Sequence, residues 1–100
     1  MTDVALTADG RLAVSGDLLF DHAVEACAAG RALIAAHAGP VVEVSLAGLR
    51  RINSVSAVVL LEWQRAAAAA GKTLRIRDVP PRLAGMLRLS GLETVLPVSP

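Results

Sequence analysis

The sequence predicts an α/β fold, in which a single domain of residues 1–100 packs helices on a mixed β-sheet. The chain has 100 residues, of which 54% are hydrophobic, so it can build one core without disulfides or metal. Strand-like and helix-like segments alternate in the order β-β-α-β-α-β-α-β. The first two strands are joined by a tight turn and the later ones by helices, which makes the sheet mixed.

The amino-terminal half begins with a predicted hairpin. Its turn is Asp9-Gly10, because glycine accepts the positive φ that a two-residue turn requires. Short, partly alternating segments flank this turn, and residues 15–17 end the second strand. Apolar residues then recur at helical spacing over residues 18–38, and Gly39-Pro40 stops that helix.

The carboxyl-terminal half contains the segment most typical of a strand, Val41-Val42-Glu43-Val44-Ser45-Leu46, which is β-branched and largely apolar. The elements after it follow in chain order: a loop over 47–53, a helix over 54–70, a strand over 73–77, a helix over 82–89 opened by Pro80-Pro81, and a short final strand over 93–98.

Composition and motif searches argue against catalysis. His22 and His37 lie on one predicted helix, about 22 Å apart at 1.5 Å per residue, so they cannot share a metal. Cys27 is the single cysteine, in an alanine-rich stretch typical of an unreactive buried thiol. No phosphate-binding loop or hydrolase motif occurs. We therefore expect no catalytic residue, cofactor or metal site, and an enzyme is the weaker hypothesis.

Charge and hydropathy indicate where the chain works. The formal net charge of +1 provides no broad field for nucleic acid or an anionic membrane. The start of the chain lacks the basic and apolar regions of a signal peptide, and no apolar run approaches the ~20 residues that span a bilayer. These features predict a cytoplasmic protein without direct membrane insertion.

The junction before the second long helix is the most informative segment. It reads Arg50-Arg51-Ile52-Asn53-Ser54, and Asn53 or Ser54 can serve as the N-cap, a role worth ~1 kcal/mol. The functional alternative is a Ser54 hydroxyl presented at a helix start, where a phosphoryl group is tolerated. Phosphorylation of Ser54 would add a charge of roughly −1.5 to −2, enough to switch a partner contact.

The helix that follows is predicted to carry a partner-binding surface. If Ala57, Leu60, Leu61, Gln64 and Ala68 face the sheet, three valines and the tryptophan turn outward around one acid. The alternative is that these residues lie beneath a neighbouring loop or the third helix. The predicted surface comprises Arg50, Arg51, Asn53, Ser54, Val55, Val58, Val59, Glu62 and Trp63.

These same residues resemble the STAS domain family. That family has a hydrophobic strand, a loop and then an Asp-Ser-x-Gly-Leu motif that leads into a helix. Here the strand begins at Val41, and the motif is matched by the run Asn53-Ser54-Val55-Ser56-Ala57. Later segments are also similar to the family: Gly71-Lys72-Thr73-Leu74, Pro80-Pro81-Arg82-Leu83 and Leu89-Ser90-Gly91-Leu92. The likeness spans residues 41–97 and implies a STAS-like fold.

The resemblance implies one of two non-enzymatic roles. The chain looks most like the MlaB branch, whose members bind the ATPase subunit of the Mla phospholipid ABC transporter. That complex also holds permease and substrate-binding subunits and maintains outer-membrane lipid asymmetry, so the chain would lie peripherally at the inner face of the inner membrane. In the other branch, anti-sigma factor antagonists, the serine matching Ser54 is phosphorylated. Asn53 replaces the family's aspartate here, which favours the first role.

Overall fold

A computed structural model describes residues 2–92 and Leu96. Four strands and three helices, with one short 3-10 turn, form an α/β domain, as predicted. The elements are β1 (Thr2–Leu6), β2 (Leu12–Leu18), a 3-10 turn (Phe20–His22), α1 (Ala23–Ala36), β3 (Val41–Ile52), α2 (Ser54–Ala69), β4 (Thr73–Arg77) and α3 (Pro81–Leu89).

The sheet is mixed, with the strands in the order β1-β2-β3-β4. The hairpin strands β1 and β2 are antiparallel, whereas β2, β3 and β4 run parallel. Both helical crossovers therefore step in the same direction across the sheet, and right-handed crossovers place α1 and α2 on the same face.

That face holds the core. Leu12, Val44 and Ile76 are paired across three strands and all are fully buried, while the alternate residue Glu43 remains half-exposed. Because side chains alternate along a strand, the other sheet face is more open to solvent. No helix in the described part of the chain is both long and apolar enough to cross a bilayer.

Strand β3 runs further than its sequence predicts. Residues 47–52 were expected to form a loop, yet they continue the strand beside β2 through two register shifts. Each shift adds a residue on β3, which is the signature of a β-bulge. At Gly48 a Cβ would lie 2.7 Å from the Cβ of Ser15, so only glycine permits this approach. The glycine that suggested a loop instead allows two strands to pair closely.

Two further boundaries differ from the prediction. Strand β2 does not end at residues 15–17 but continues to Leu18, so α1 begins at Ala23 instead of at residue 18. The predicted final strand over 93–98 lies outside the described residues apart from Leu96. The Leu96 side chain is buried and its backbone N–H donates to the Leu92 carbonyl at 2.8 Å.

Candidate partner-binding site

The start of α2 is held by a capping box. The side-chain oxygen of Asn53 accepts from the backbone N–H of Val55 at 3.0 Å, and the backbone N–H of Asn53 donates to Ser56 Oγ at 3.1 Å. Ser56 is fully buried and its hydroxyl donates to the Leu18 carbonyl at 2.6 Å. The capping box therefore supplies hydrogen-bond partners for backbone N–H groups at the start of α2. The Ser56 hydroxyl also links this first turn to the end of β2.

Ser54 is the first residue of α2 and is exposed. Its hydroxyl makes no hydrogen bond within the described part of the chain, since the cap is supplied by Asn53 and Ser56. Of the two caps considered from sequence, Asn53 has the role and Ser54 is left facing solvent. The chemical group at this helix start is an accessible hydroxyl.

An apolar groove of about 380 Å³ opens beside Ser54. We call it the α2–α3 groove, and its lining consists of Ser54, Ala57, Val58, Met86, Leu89, Ser90 and Leu92. Val58 is 54% exposed and Leu89 is 92% exposed, so two large apolar side chains face solvent at its rim. Among the described residues, none of the lining side chains is titratable. The groove can therefore bury apolar groups of a partner, and these side chains supply it with no acid or base.

Two residues of the predicted surface are buried in the chain's own core, so their assignment to a partner surface is wrong. Val59 and Trp63 are both 0% exposed. The indole of Trp63 packs against Gly30 of α1, and its Nε1 donates to the Ala26 carbonyl at 3.2 Å. Helix α2 packs on α1 as well as on the sheet, which widens its buried side to include both residues.

The other predicted residues divide between the groove and its surroundings. Ser54 and Val58 line the groove, whereas Val55 and Glu62 are half-buried and Val55 packs against the core. Arg50 and Arg51 are exposed at the end of β3, and Asn53 is half-buried in the capping box. Among the residues assigned to the inner side of α2, Leu61 and Gln64 are half-buried and Leu61 packs against the core, whereas Ala68 is exposed and its assignment is wrong. The buried residues of α2 are Ser56, Ala57, Val59, Leu60, Trp63 and Ala67.

Sequence reasoning missed the half of the groove that α3 contributes. Leu83 and Leu87 of α3 are buried, whereas Met86 is half-buried, packs against the core and also lines the groove. Leu89 lies three residues after Met86, so both residues fall on one side of the helix. The spacing of Met86 and Leu89 is visible in the sequence. The two residues form one wall of the groove only because α3 packs against α2.

The residues considered for catalysis do not form a site. His37 lies at the end of α1, where its Nδ1 accepts from the Gly39 N–H at 3.1 Å and its Nε2 contacts the Gly10 carbonyl at 3.2 Å. Burial raises the pKa of the Cys27 thiol, against the opposing effect of Arg31. Within residues 2–92, no three His, Cys, Asp or Glu side chains are grouped to hold a metal ion.

Comparisons with known proteins agree with the observed fold. A family model described as "Mlab, STAS domain" matches residues 1–97. An anti-sigma factor antagonist from Mycobacterium paratuberculosis superposes with a TM-score of 0.71 at 20% identity, covering 100% of this chain and 85% of that one. A serine-to-glutamate variant of RsbS from Moorella thermoacetica superposes with a TM-score of 0.70 at 17% identity, covering 98% and 85%.

A third solved structure is an anti-sigma-factor antagonist (STAS) domain protein from Planctomyces limnophilus, with a TM-score of 0.65 at 16% identity and coverage of 97% and 87%. At these identities the likeness concerns the fold. No curated protein gives a significant match to this chain.

Proposed function

This chain belongs to the STAS domain family, and from that membership we propose that it is a non-enzymatic accessory subunit that binds the ATPase subunit of a phospholipid-transporting ABC transporter. The family model that matches residues 1–97 carries the MlaB name, which supports this branch of the family. Permease and substrate-binding subunits complete such a complex. The chain would then lie peripherally at the inner face of the inner membrane, held there by the complex.

The observation that carries the proposal is the α2–α3 groove. It leaves Val58 and Leu89 exposed beside the accessible hydroxyl of Ser54, at the helix start where the family's motif lies. Covering an apolar groove on a small domain with another polypeptide lowers the free energy, because apolar surface is removed from water. Because no titratable side chain among residues 2–92 lines the groove, it supports docking better than it supports chemistry.

Copurification tests this proposal. The tagged protein is co-expressed with the transporter ATPase subunit of the same organism, and Val58→Asp is expected to abolish copurification because it buries a carboxylate in the interface. Ser54→Arg, which blocks one end of the groove, is expected to act in the same direction. The matched control is Val24→Asp, since Val24 is an exposed valine of α1 that does not line the groove.

The Val24→Asp variant should retain the ATPase subunit. Circular dichroism verifies that both variants fold. If folded Val58→Asp protein binds the ATPase subunit as tightly as the unaltered chain does, the groove is not the docking site and the proposal fails.

A second candidate function is that of an anti-sigma factor antagonist switched by phosphorylation at Ser54. The observation that favours it is the exposed hydroxyl of Ser54 at the first residue of α2, which makes no hydrogen bond to any described residue. Phosphate at this position would place negative charge near the helix N-terminus and beside the groove. Intact-mass spectrometry of the protein purified from its own cells tests this candidate. A phosphorylated fraction that disappears in Ser54→Ala supports it, whereas its absence in every growth condition contradicts it.

A further inference from the structure

Four arginines, which we call the rim arginines, each lie within four residues along the chain of a residue that lines the α2–α3 groove: Arg50, Arg51, Arg82 and Arg88. Arg82 precedes Met86 by four residues and Leu89 by seven, so it lies on the groove side of α3. Arg88 directly precedes Leu89, and Arg50 and Arg51 lie just before Ser54. All four arginines are exposed, and none forms an ion pair with another residue in the part of the chain that the structure describes.

The charge of the chain is divided between its two halves. Residues 1–49 contain six acidic and two basic residues, whereas residues 50–100 contain three acidic and eight basic residues. The net charge of +1 therefore conceals an acidic half and a basic half. Both walls of the groove, and the approach to it from β3, belong to the basic half. Glu62, the acid of α2, is already paired with Arg65 at 3.2 Å.

We propose that the α2–α3 groove binds an acidic amphipathic segment of a partner protein, whose apolar side chains fill the groove and whose carboxylates meet the arginine rim. The inference rests on the docking role proposed above and adds the chemistry of the occupant. An apolar floor with a basic rim is complementary to a helix that has leucine-like residues on one side and Asp or Glu on its flanks. Rim arginines that have no ion pair within the described residues also speed association with an acidic partner.

A concave site favours a peptide over a membrane surface. The groove is a recess of about 380 Å³ between two helices, which suits a row of side chains that enters it. A membrane-binding face projects apolar side chains outward from a polar surround, as Leu89 does at the rim, so it is the recess itself that favours a peptide. An anionic bilayer is therefore an alternative that the experiment must separate from the peptide.

Two synthetic peptides of about fourteen residues, or four helical turns, provide the probe. Both carry leucine at the i, i+3, i+4 and i+7 positions, and the remaining positions are glutamate in one peptide and lysine in the other. Fluorescence polarisation is expected to show binding of the glutamate peptide alone, weakening as salt screens the rim. Arg82→Glu combined with Arg88→Glu should weaken that binding at least about tenfold, as expected for loss of complementary charge.

The matched control reverses two exposed arginines elsewhere, Arg31→Glu in α1 and Arg75→Glu in β4, and should leave binding within about twofold. Equal binding of the two peptides, or binding of neither, would overturn the proposal. So would binding to phosphatidylglycerol vesicles that is lost in the Arg82 and Arg88 variant, because it would assign the rim to lipid.

Failure of this inference is distinguishable from failure of the docking role. If Val58→Asp abolishes copurification of the ATPase subunit while the Arg82 and Arg88 variant keeps it with unchanged salt dependence, the groove docks a partner but not through acidic residues. That result overturns the inference alone. Loss of the ATPase subunit in both variants supports it.

Discussion

The backbone of Gly30 in α1 lies directly against the indole ring of Trp63 in α2. A Cβ placed on Gly30 would be 2.1 Å from Trp63 Nε1, far inside any permitted contact. The same nitrogen donates to the Ala26 carbonyl one turn earlier in α1. Glycine in a helix interior costs up to about 1 kcal/mol relative to alanine, so its presence here has a packing cause. The two helices approach closely because Gly30 leaves room for the ring.

Gly30→Ala is therefore expected to destabilise the protein. The gain in helix propensity of about 1 kcal/mol is outweighed by displacement of a buried tryptophan, and we expect a net loss of about 2–3 kcal/mol. Urea denaturation followed by Trp63 fluorescence measures it. The matched control is Gly85→Ala in α3, where nothing lies within 4 Å of the added Cβ. Equal stability changes in the two variants would show that the ring does not need this space.

The capping box predicts opposite outcomes for two neighbouring serines. Ser56→Ala removes the acceptor for the Asn53 N–H and the donor to the Leu18 carbonyl at a buried position, and should cost about 2–3 kcal/mol. Ser54→Ala removes an exposed hydroxyl and should change stability by less than about 0.5 kcal/mol. Thermal denaturation of both variants makes the comparison. A similar loss in the two would contradict the assignment of the cap to Asn53 and Ser56.

Lys72 is predicted to stabilise the end of α1 from the turn before β4. Its Nζ donates to the carbonyls of Ile34 at 2.7 Å, Ala35 at 3.2 Å and His37 at 2.5 Å. Lys72→Met keeps the length of the side chain and loses these bonds, so we expect a cost of about 1–2 kcal/mol.

Faster amide hydrogen exchange in the last turn of α1 should accompany the loss of stability in Lys72→Met. Arg75→Met is the control, because Arg75 is an exposed cation of β4 with no ion pair in the described part of the chain. If Lys72→Met and Arg75→Met lower the stability equally, the loss comes from removing a positive charge and not from removing the cap on α1.

The half-buried Cys27 thiol is predicted to react slowly. Burial raises its pKa above the ordinary value, and since the thiolate is the reactive form, a higher pKa leaves less of it at neutral pH. The rate of reaction with a disulfide reagent at pH 7 should be lower in the folded protein than in urea, and should rise with pH beyond the ordinary thiol range. Equal reaction rates at pH 7 in the folded protein and in urea would contradict the raised pKa of the Cys27 thiol.

Local signals predicted most of the fold. Asp9-Gly10 marked the hairpin, Gly39-Pro40 marked the end of α1, and the alternation of apolar residues placed β4 at Thr73–Arg77. Each signal acts within a few residues of chain, because turn geometry and helix ends depend on backbone conformation there. The extension of β3 to Ile52 was missed, since it depends on the approach of Gly48 to Ser15 on another strand.

The candidate site could be predicted only in part. The start of α2, with Asn53 and Ser54, was located from the sequence. The outward side of α2 was not, because residues 57–61 are all apolar and their periodicity favours no single inner side. Val59 and Trp63 were assigned to the surface for this reason.

The sequence by itself determined the order of the elements as far as α3 and located the start of α2 at Asn53 or Ser54, because both depend on neighbours along the chain. Only the tertiary structure decided that Val59 and Trp63 are buried while Val58 faces a groove with Leu89. That choice depends on where α1 and α3 pack against α2. Gly30 leaves space for Trp63, and Ser56 donates a hydrogen bond to Leu18. In each pair the two residues lie more than thirty positions apart along the chain.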